Sequence, residues 1–370
     1  MTTAQHEGVG VVVVVYAPPE DTWPVGGVRR WPGPLPARRT VALVAVMRDE
    51  AASIPVWAAD LRAQTRLPDE VVVVDDGSRD GSAALLSGAL ADLGAPVRVL
   101  AQSPTGIAAG RNRAVACTSA EVVAVTDLGL GLAPDWLERI AEPFEDDRAT
   151  QVVAGFYTAV GRDGRVVRRR MWPTLERVDP ATFLPASRSV AFTRAAWETV
   201  GGYPEWLTLT GEDTWFAAEL RRRCPHWAFA PRAVVRWHAP DTLPAYWRKA
   251  RYWAAGDGES GLFPRSYAKS ALALAAAAGL CASAALAYQR RTAPGAGVVV
   301  VALAGAAGLL GRRTGLGAEG LVAEAGAQAA RTLGWLQGRR HRAGAQVRHA
   351  DGRARRHAAV QARRADGGAA

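Results

Sequence analysis

Lysine is almost absent from this chain: of 45 basic side chains only Lys249 and Lys269 are lysines. Glycine-rich phosphate loops are missing too. No Gly-x-x-x-x-Gly-Lys-Ser/Thr run occurs, and "MRDEAAS" stands where a Gly-x-Gly-x-x-Gly would follow the first strand-like run. Folds that cradle phosphate with glycine backbone at a helix N-terminus are therefore excluded. Cysteine is scarce, with Cys117, Cys224 and Cys281 scattered and no Cys-x-x-Cys pair. That pattern excludes a disulfide framework and a structural zinc site, and predicts reduced thiols in a cytosolic compartment. The start of the chain has no basic stretch ahead of an apolar one, and the apolar run at 9–16 is too short to span a bilayer, so no signal peptide is expected.

Net positive charge is missing from most of the chain. The net charge is +10, but from Arg312 onward twelve arginines face four acids, which leaves the rest close to neutral. A nucleic-acid enzyme spreads basic residues around its cleft, so no nucleic-acid partner is expected. A basic end suits a membrane surface or a solvated tail.

What is present is a core-forming chain, 370 residues long with 49% hydrophobic and 22% charged residues. Residues 1–39 read as an extension and linker, with six prolines between 17 and 40. From Thr40 strand-like and helix-like runs alternate: strands at 41–47, 70–74, 96–100 and 121–126, helices at 53–65, 79–93, 106–116 and 133–144. This alternation predicts an α/β fold with a mainly parallel sheet covered on both faces. Near the end, residues 270–288 and 295–311 carry no charge and have basic flanks. They predict a transmembrane helical hairpin over 268–312, although alanine contributes little insertion energy. A basic, partly disordered tail is expected over 313–370.

The chemistry concentrates where strands end. Asp49 and Glu50 follow the first strand, Asp75 and Asp76 the second, and Asp127 the fourth. Ligands of open parallel sheets bind outside the carboxyl ends of the strands, so five carboxylates would share one rim. Helix capping explains one such acid at a time but not the set, because clustered like charges destabilise an empty protein. Acids in that position read hydrogen-bond donors such as a base N–H or sugar hydroxyls.

Four ordered blocks carry a family resemblance: "VALVAVMRDEAASI", "EVVVVDDGSRDGS", "GIAAGRNRAV", and "GGYPEWL" followed by "GEDTWFAAEL". Residues 41 to about 260 resemble family 2 glycosyltransferases with a GT-A fold. The resemblance implies a GT-A nucleotide-diphospho-sugar transferase domain at 40–260. Glu50, Asp76, Arg111, Asn112 and Asp127 would bind the nucleotide sugar, and Asp213 would be the catalytic base of an inverting transfer. The expected acceptor is a membrane lipid or a lipid-linked or cell-envelope molecule, reached from the cytoplasmic face of the membrane. Family members usually carry Asp-x-Asp after the fourth strand; here "VTDLGLG" puts Gly129 in place of the second Asp. A divalent cation, Mg²⁺ or Mn²⁺, is expected with Asp127 and His238 as ligands. "YWRKARYWAAGDG" is loosely similar to the Gln-x-x-Arg-Trp element of membrane-bound members, which implies that Arg251 neutralises the leaving diphosphate. A second reading is a catalytically weakened nucleotide-sugar-binding partner of another transferase, suggested by the missing carboxylate.

Overall fold

The computed structural model describes residues 38–289 and 318–366. The proline-rich extension and the second expected span, 295–311, lie outside that set. Eight strands form one mixed sheet in the order β3-β2-β1-β4-β7-β6-β8-β5. Strands β1 (Val41–Met47), β2 (Glu70–Asp75), β3 (Val97–Ala101) and β4 (Val122–Val125) run parallel, as the sequence predicts. Strands β5 (Leu130–Leu132), β6 (Val152–Val160), β7 (Val190–Thr193) and β8 (Trp227–His238) extend the sheet with three antiparallel pairings and one parallel one. Every residue of β1 from Val41 to Val46, and of β2 from Val71 to Val74, is buried. Continuous apolar runs of this kind form strands covered on both faces.

Helices α1 (Ile54–Arg62), α2 (Ser82–Ala89) and α4 (Trp136–Asp146) cover one face through Trp57, Leu61, Leu86, Trp136 and Phe144. Helices α3 (Ile107–Cys117), α5 (Arg194–Val200) and α6 (Glu212–Arg223) cover the other through Val115, Ala196, Phe216 and Leu220. Boundaries differ from expectation where local chemistry intervenes. Ser53 does not cap α1; its hydroxyl donates to Glu50 Oε2 at 2.7 Å. Helix α2 starts three residues later than expected because Asp80 accepts from Ser82 N and holds the preceding turn.

The C-terminal part departs most from the sequence reading. Helix α7 (Leu243–Ser260) is followed by α8 (Pro264–Gln289) and, after residues outside the described set, by the 49-residue α9 (Ala318–Asp366). The transmembrane hairpin expected over 268–312 is not supported: among the described residues no helix is long and apolar enough to cross a membrane. Ten of the nineteen residues at 270–288 are alanine, which contributes little transfer free energy. Nor is 318–366 the disordered basic tail expected. Helix α9 runs parallel to α7, with Trp247 Nε1 donating to Ala323 O at 3.0 Å and Arg348 pairing with the buried Glu259 at 2.9 Å. Ala323 and Ala327 join Trp172, Tyr246 and Ala250 in a third apolar cluster.

Glycine allows this approach. A Cβ on Gly338 would fall on the Ala255 carbonyl and one on Gly334 on the Arg251 carbonyl, so backbone meets backbone. Replacing Gly338 by Ala should cost about 1–3 kcal/mol in urea unfolding, because α9 must lift from α7. Gly88→Ala, where an added Cβ meets nothing within 4 Å, should instead be neutral or stabilising by up to about 1 kcal/mol.

Candidate active site

Beyond the carboxyl end of β4 lies a cavity of ≈ 700 Å³. Its anchor is Arg111 on α3. The guanidinium is 2% exposed and bridges Asp127, at 2.9 Å, and Glu212, at 2.7 Å. It also lies over the Tyr203 ring, 5.4 Å from the centroid. Burial alone would lower its pKa, but Asp127 and Glu212 more than offset that and raise it, so the charge is permanent. Glu212 shifts upward, driven by burial and by the neighbouring Asp213 and opposed by Arg111.

One residue further along α6, Asp213 lines the cavity. It accepts from Thr214 N at 2.7 Å and from Ser187 N at 3.4 Å. Asp127 lines the same cavity, so the structure brings Asp127, Arg111 and Asp213 into one space. Glu50 is not part of the cavity wall; its oxygens lie 3.8 and 3.9 Å from where a Cβ on Gly129 would sit. A second carboxylate at 129 would face Glu50 directly.

The other expected site residues are placed differently. Asp76 is 3% exposed and its carboxylate accepts from Gln102 Nε2 at 2.8 Å, Thr105 N at 2.8 Å and Gly106 N at 3.0 Å. It fastens the loop that opens α3. Asp75 closes its own turn by accepting from Ser78 N at 2.9 Å. Asn112 is not part of the cavity wall and pins the segment between α5 and α6, donating to Tyr203 O at 2.9 Å and accepting from Tyr203 N at 2.7 Å. Arg251 turns outward to Gln337 Oε1 on α9, at 3.1 and 3.3 Å. His238 is exposed at the end of β8 and is not part of the cavity wall.

The donor set for a divalent cation does not assemble. One oxygen of Asp127 is engaged by Arg111, Gly129 offers no ligand, and His238 stands apart. Among the described residues no three His, Cys, Asp or Glu side chains come together as a metal group. Of the expected ligands only Asp127 lines the cavity, so a divalent cation held there would take its remaining oxygen ligands from phosphate and water.

Sequence reasoning passed over most of the wall, including four ionisable groups. Arg188 precedes β7, Asp257 is on α7, Tyr267 on α8 and Arg331 on α9. Asp257 lies in the "YWRKARYWAAGDG" stretch without a role assigned to it and the other three belong to no motif; the long α7–α9 contact brings the last three together. Trp253, in the same "YWRKARYWAAGDG" stretch as Arg251, lines the cavity.

Asp257 accepts from Tyr267 Oη at 2.6 Å. Burial, aided by Asp213 and opposed by the Tyr267 hydrogen bond and Arg331, pushes its pKa from 3.8 up to about 6. The neutral form is favoured in the folded state, so its stabilising contribution is complete below about 3.9 and is lost as pH rises through about 6. Asp257→Asn removes that loss while keeping an acceptor for Tyr267. Its melting temperature should equal the wild type's near pH 4 and exceed it by several degrees at pH 8; a difference independent of pH contradicts the assignment.

Comparison with known proteins matches this architecture to two family models, Glycosyl transferase family 2 over residues 43–197 and Glycosyl transferase family group 2 over residues 174–310. Among solved structures, the mannosyltransferase PcManGT from Pyrobaculum calidifontis, in complex with GDP-Man and Mn2+, is 18% identical. Its match covers 81% of this chain and 87% of that one, with a TM-score of 0.53. S. aureus TarS 1-349 in complex with UDP is 19% identical over 59% of this chain, with a TM-score of 0.44. The present chain spans 65% of the length of that TarS chain. No curated protein matches. The two models together run without a break from β1 through α8, across every element that lines the cavity except α9, and the chain belongs to the family 2 glycosyltransferases.

Proposed function

We propose that the chain moves a sugar from a nucleotide-diphosphate donor to a hydroxyl acceptor in a single inverting displacement. The observation that carries this reading is the shared cavity of Asp127 and Asp213, joined through Arg111 and Glu212. In this reading the nucleotide lies along the rim of β1, β2 and β4. Asp127 and Glu50 face its ribose and diphosphate, and Asp76 acts through the 102–106 loop that it fastens.

The acceptor hydroxyl is a poor nucleophile until a carboxylate takes its proton. Asp213 is the group for that task because Glu212 is already tied to Arg111 at 2.7 Å and is buried, whereas Asp213 opens to the cavity. As the acceptor oxygen bonds to the anomeric carbon, its proton passes to Asp213. The carbon–oxygen bond to the diphosphate breaks, and the nucleoside diphosphate leaves with the bonding electron pair.

A lipid-linked or cell-envelope acceptor at the cytoplasmic face of the membrane is supported by α8. That helix is uncharged from Ser270 onward, with Leu272 72% and Leu286 51% exposed. The catalytic unit extends past 260, because Tyr267 and Arg331 form part of the wall.

Asp213→Asn tests the reading. Nucleotide released from a panel of nucleotide sugars should fall by about 10²–10⁴-fold, with donor affinity changed little. Release at the wild-type rate removes Asp213 from the mechanism.

A further inference from the structure

A transferase that expels a diphosphate needs positive charge where the leaving oxygens develop theirs. The expected source was a divalent cation or Arg251, but the first lacks its donor set and the second faces Gln337. Resting on the transferase reading above, we infer that Arg188 is the fixed cation of this site and takes the diphosphate of the donor directly.

Three observations converge on this residue. The first is position. Val125 of β4 pairs with Val190 of β7, so two residues further on Asp127 and Arg188 reach the same end of the sheet, and both line the cavity. The second is availability. The Arg188 guanidinium sits among three rings, 4.9 Å from the centre of Tyr157, 5.0 Å from Trp237 and 5.4 Å from Trp253. Among the described residues it has ring contacts but no carboxylate or hydrogen-bonding partner. Ring faces hold a cation in place without engaging its N–H donors, which leaves the planar fork free for phosphate oxygens. Of the other wall arginines, Arg111 is held by Asp127 and Glu212, Arg177 by the carbonyls of Arg169, Arg170 and Trp172, and Arg331 by the Tyr267 hydroxyl at 3.5 Å, while Arg170 is exposed and, unlike Arg188, is held by no ring among the described residues.

The third is an uncompensated pair of like charges. The Lys249 ammonium lies 5.7 Å from the centre of the same Trp253 ring. Its pKa is lowered by burial and by Arg188. Among the described residues no ion pair neutralises either group. Two half-buried cations around one ring repel each other in the empty protein, and an anion held by Arg188 on the cavity wall relieves that repulsion. In the transfer step the electron pair of the breaking bond settles on the diphosphate oxygen, and the Arg188 N–H groups hydrogen-bond to it as the charge forms.

Titration calorimetry on the full chain in EDTA, with UDP, GDP, dTDP and CDP and with the parent nucleoside of whichever binds, tests the assignment. The wild type should bind one of the diphosphates without metal, and added Mn²⁺ should change its affinity by less than about threefold. Arg188→Gln should weaken diphosphate binding by about tenfold or more, Arg188→Lys should recover part of the loss, and nucleoside binding should stay constant in all three. Lys249→Gln, which leaves the rings in place, should weaken it by about threefold and decides the matter if Arg188→Gln fails to fold. Diphosphate binding that needs Mn²⁺, or that Arg188→Gln and Lys249→Gln both leave unchanged, overturns the inference while the transferase reading stands; the unchanged result would assign the cations to an anionic acceptor instead. Failure of the wild type to bind any of the four diphosphates, with or without Mn²⁺, overturns both.

Discussion

A buried arginine between two carboxylates holds this site together. Arg111 is 2% exposed and reaches Asp127, at the end of the parallel half of the sheet, and Glu212, at the start of α6. A charge taken out of water costs several kcal/mol unless it is paired and hydrogen-bonded, and here two acids share that task. The consequence is geometric. The strand end that carries Asp127 and the helix start that carries Asp213 are joined through one planar group. Asp213 is then oriented by Thr214 N and Ser187 N, and Ser187 is itself hydrogen-bonded to the buried Tyr203 hydroxyl at 2.9 Å.

Much of the donor half was legible in the sequence. The runs at 41–47 and 70–74 are apolar without alternation, which only a strand buried on both faces requires, and the acids that end them fall on one rim because parallel strands end together. Asp127, Arg111 and Asp213 were found this way or through the family blocks. Asp76 was located but given a different task. Sequence places a carboxylate at a strand end, but only the fold shows that Gln102, Thr105 and Gly106 occupy it.

The rest depended on contacts between residues far apart in the chain. Nothing near Arg188 in sequence announces that Tyr157, Trp237 and Trp253, from three different elements, surround it. Likewise, the alanines and glycines of α9 read as featureless in one dimension. In three dimensions Gly334 and Gly338 let that helix lie against α7, which turns Arg251 outward to Gln337 and carries Arg331 to the cavity wall. The small side chains that made 270–288 resemble a membrane span are of the same type as those that make α9 a packing surface. Composition alone does not separate the two.

One displacement at the anomeric carbon is the central chemical claim, and the configuration of the first sugar formed tests it most directly. With an α-linked nucleotide sugar and water as the acceptor, NMR of the anomeric proton at early times, before mutarotation, distinguishes the outcomes. The account predicts that the β-anomer appears first; first release of the α-anomer would contradict a single attack assisted by Asp213.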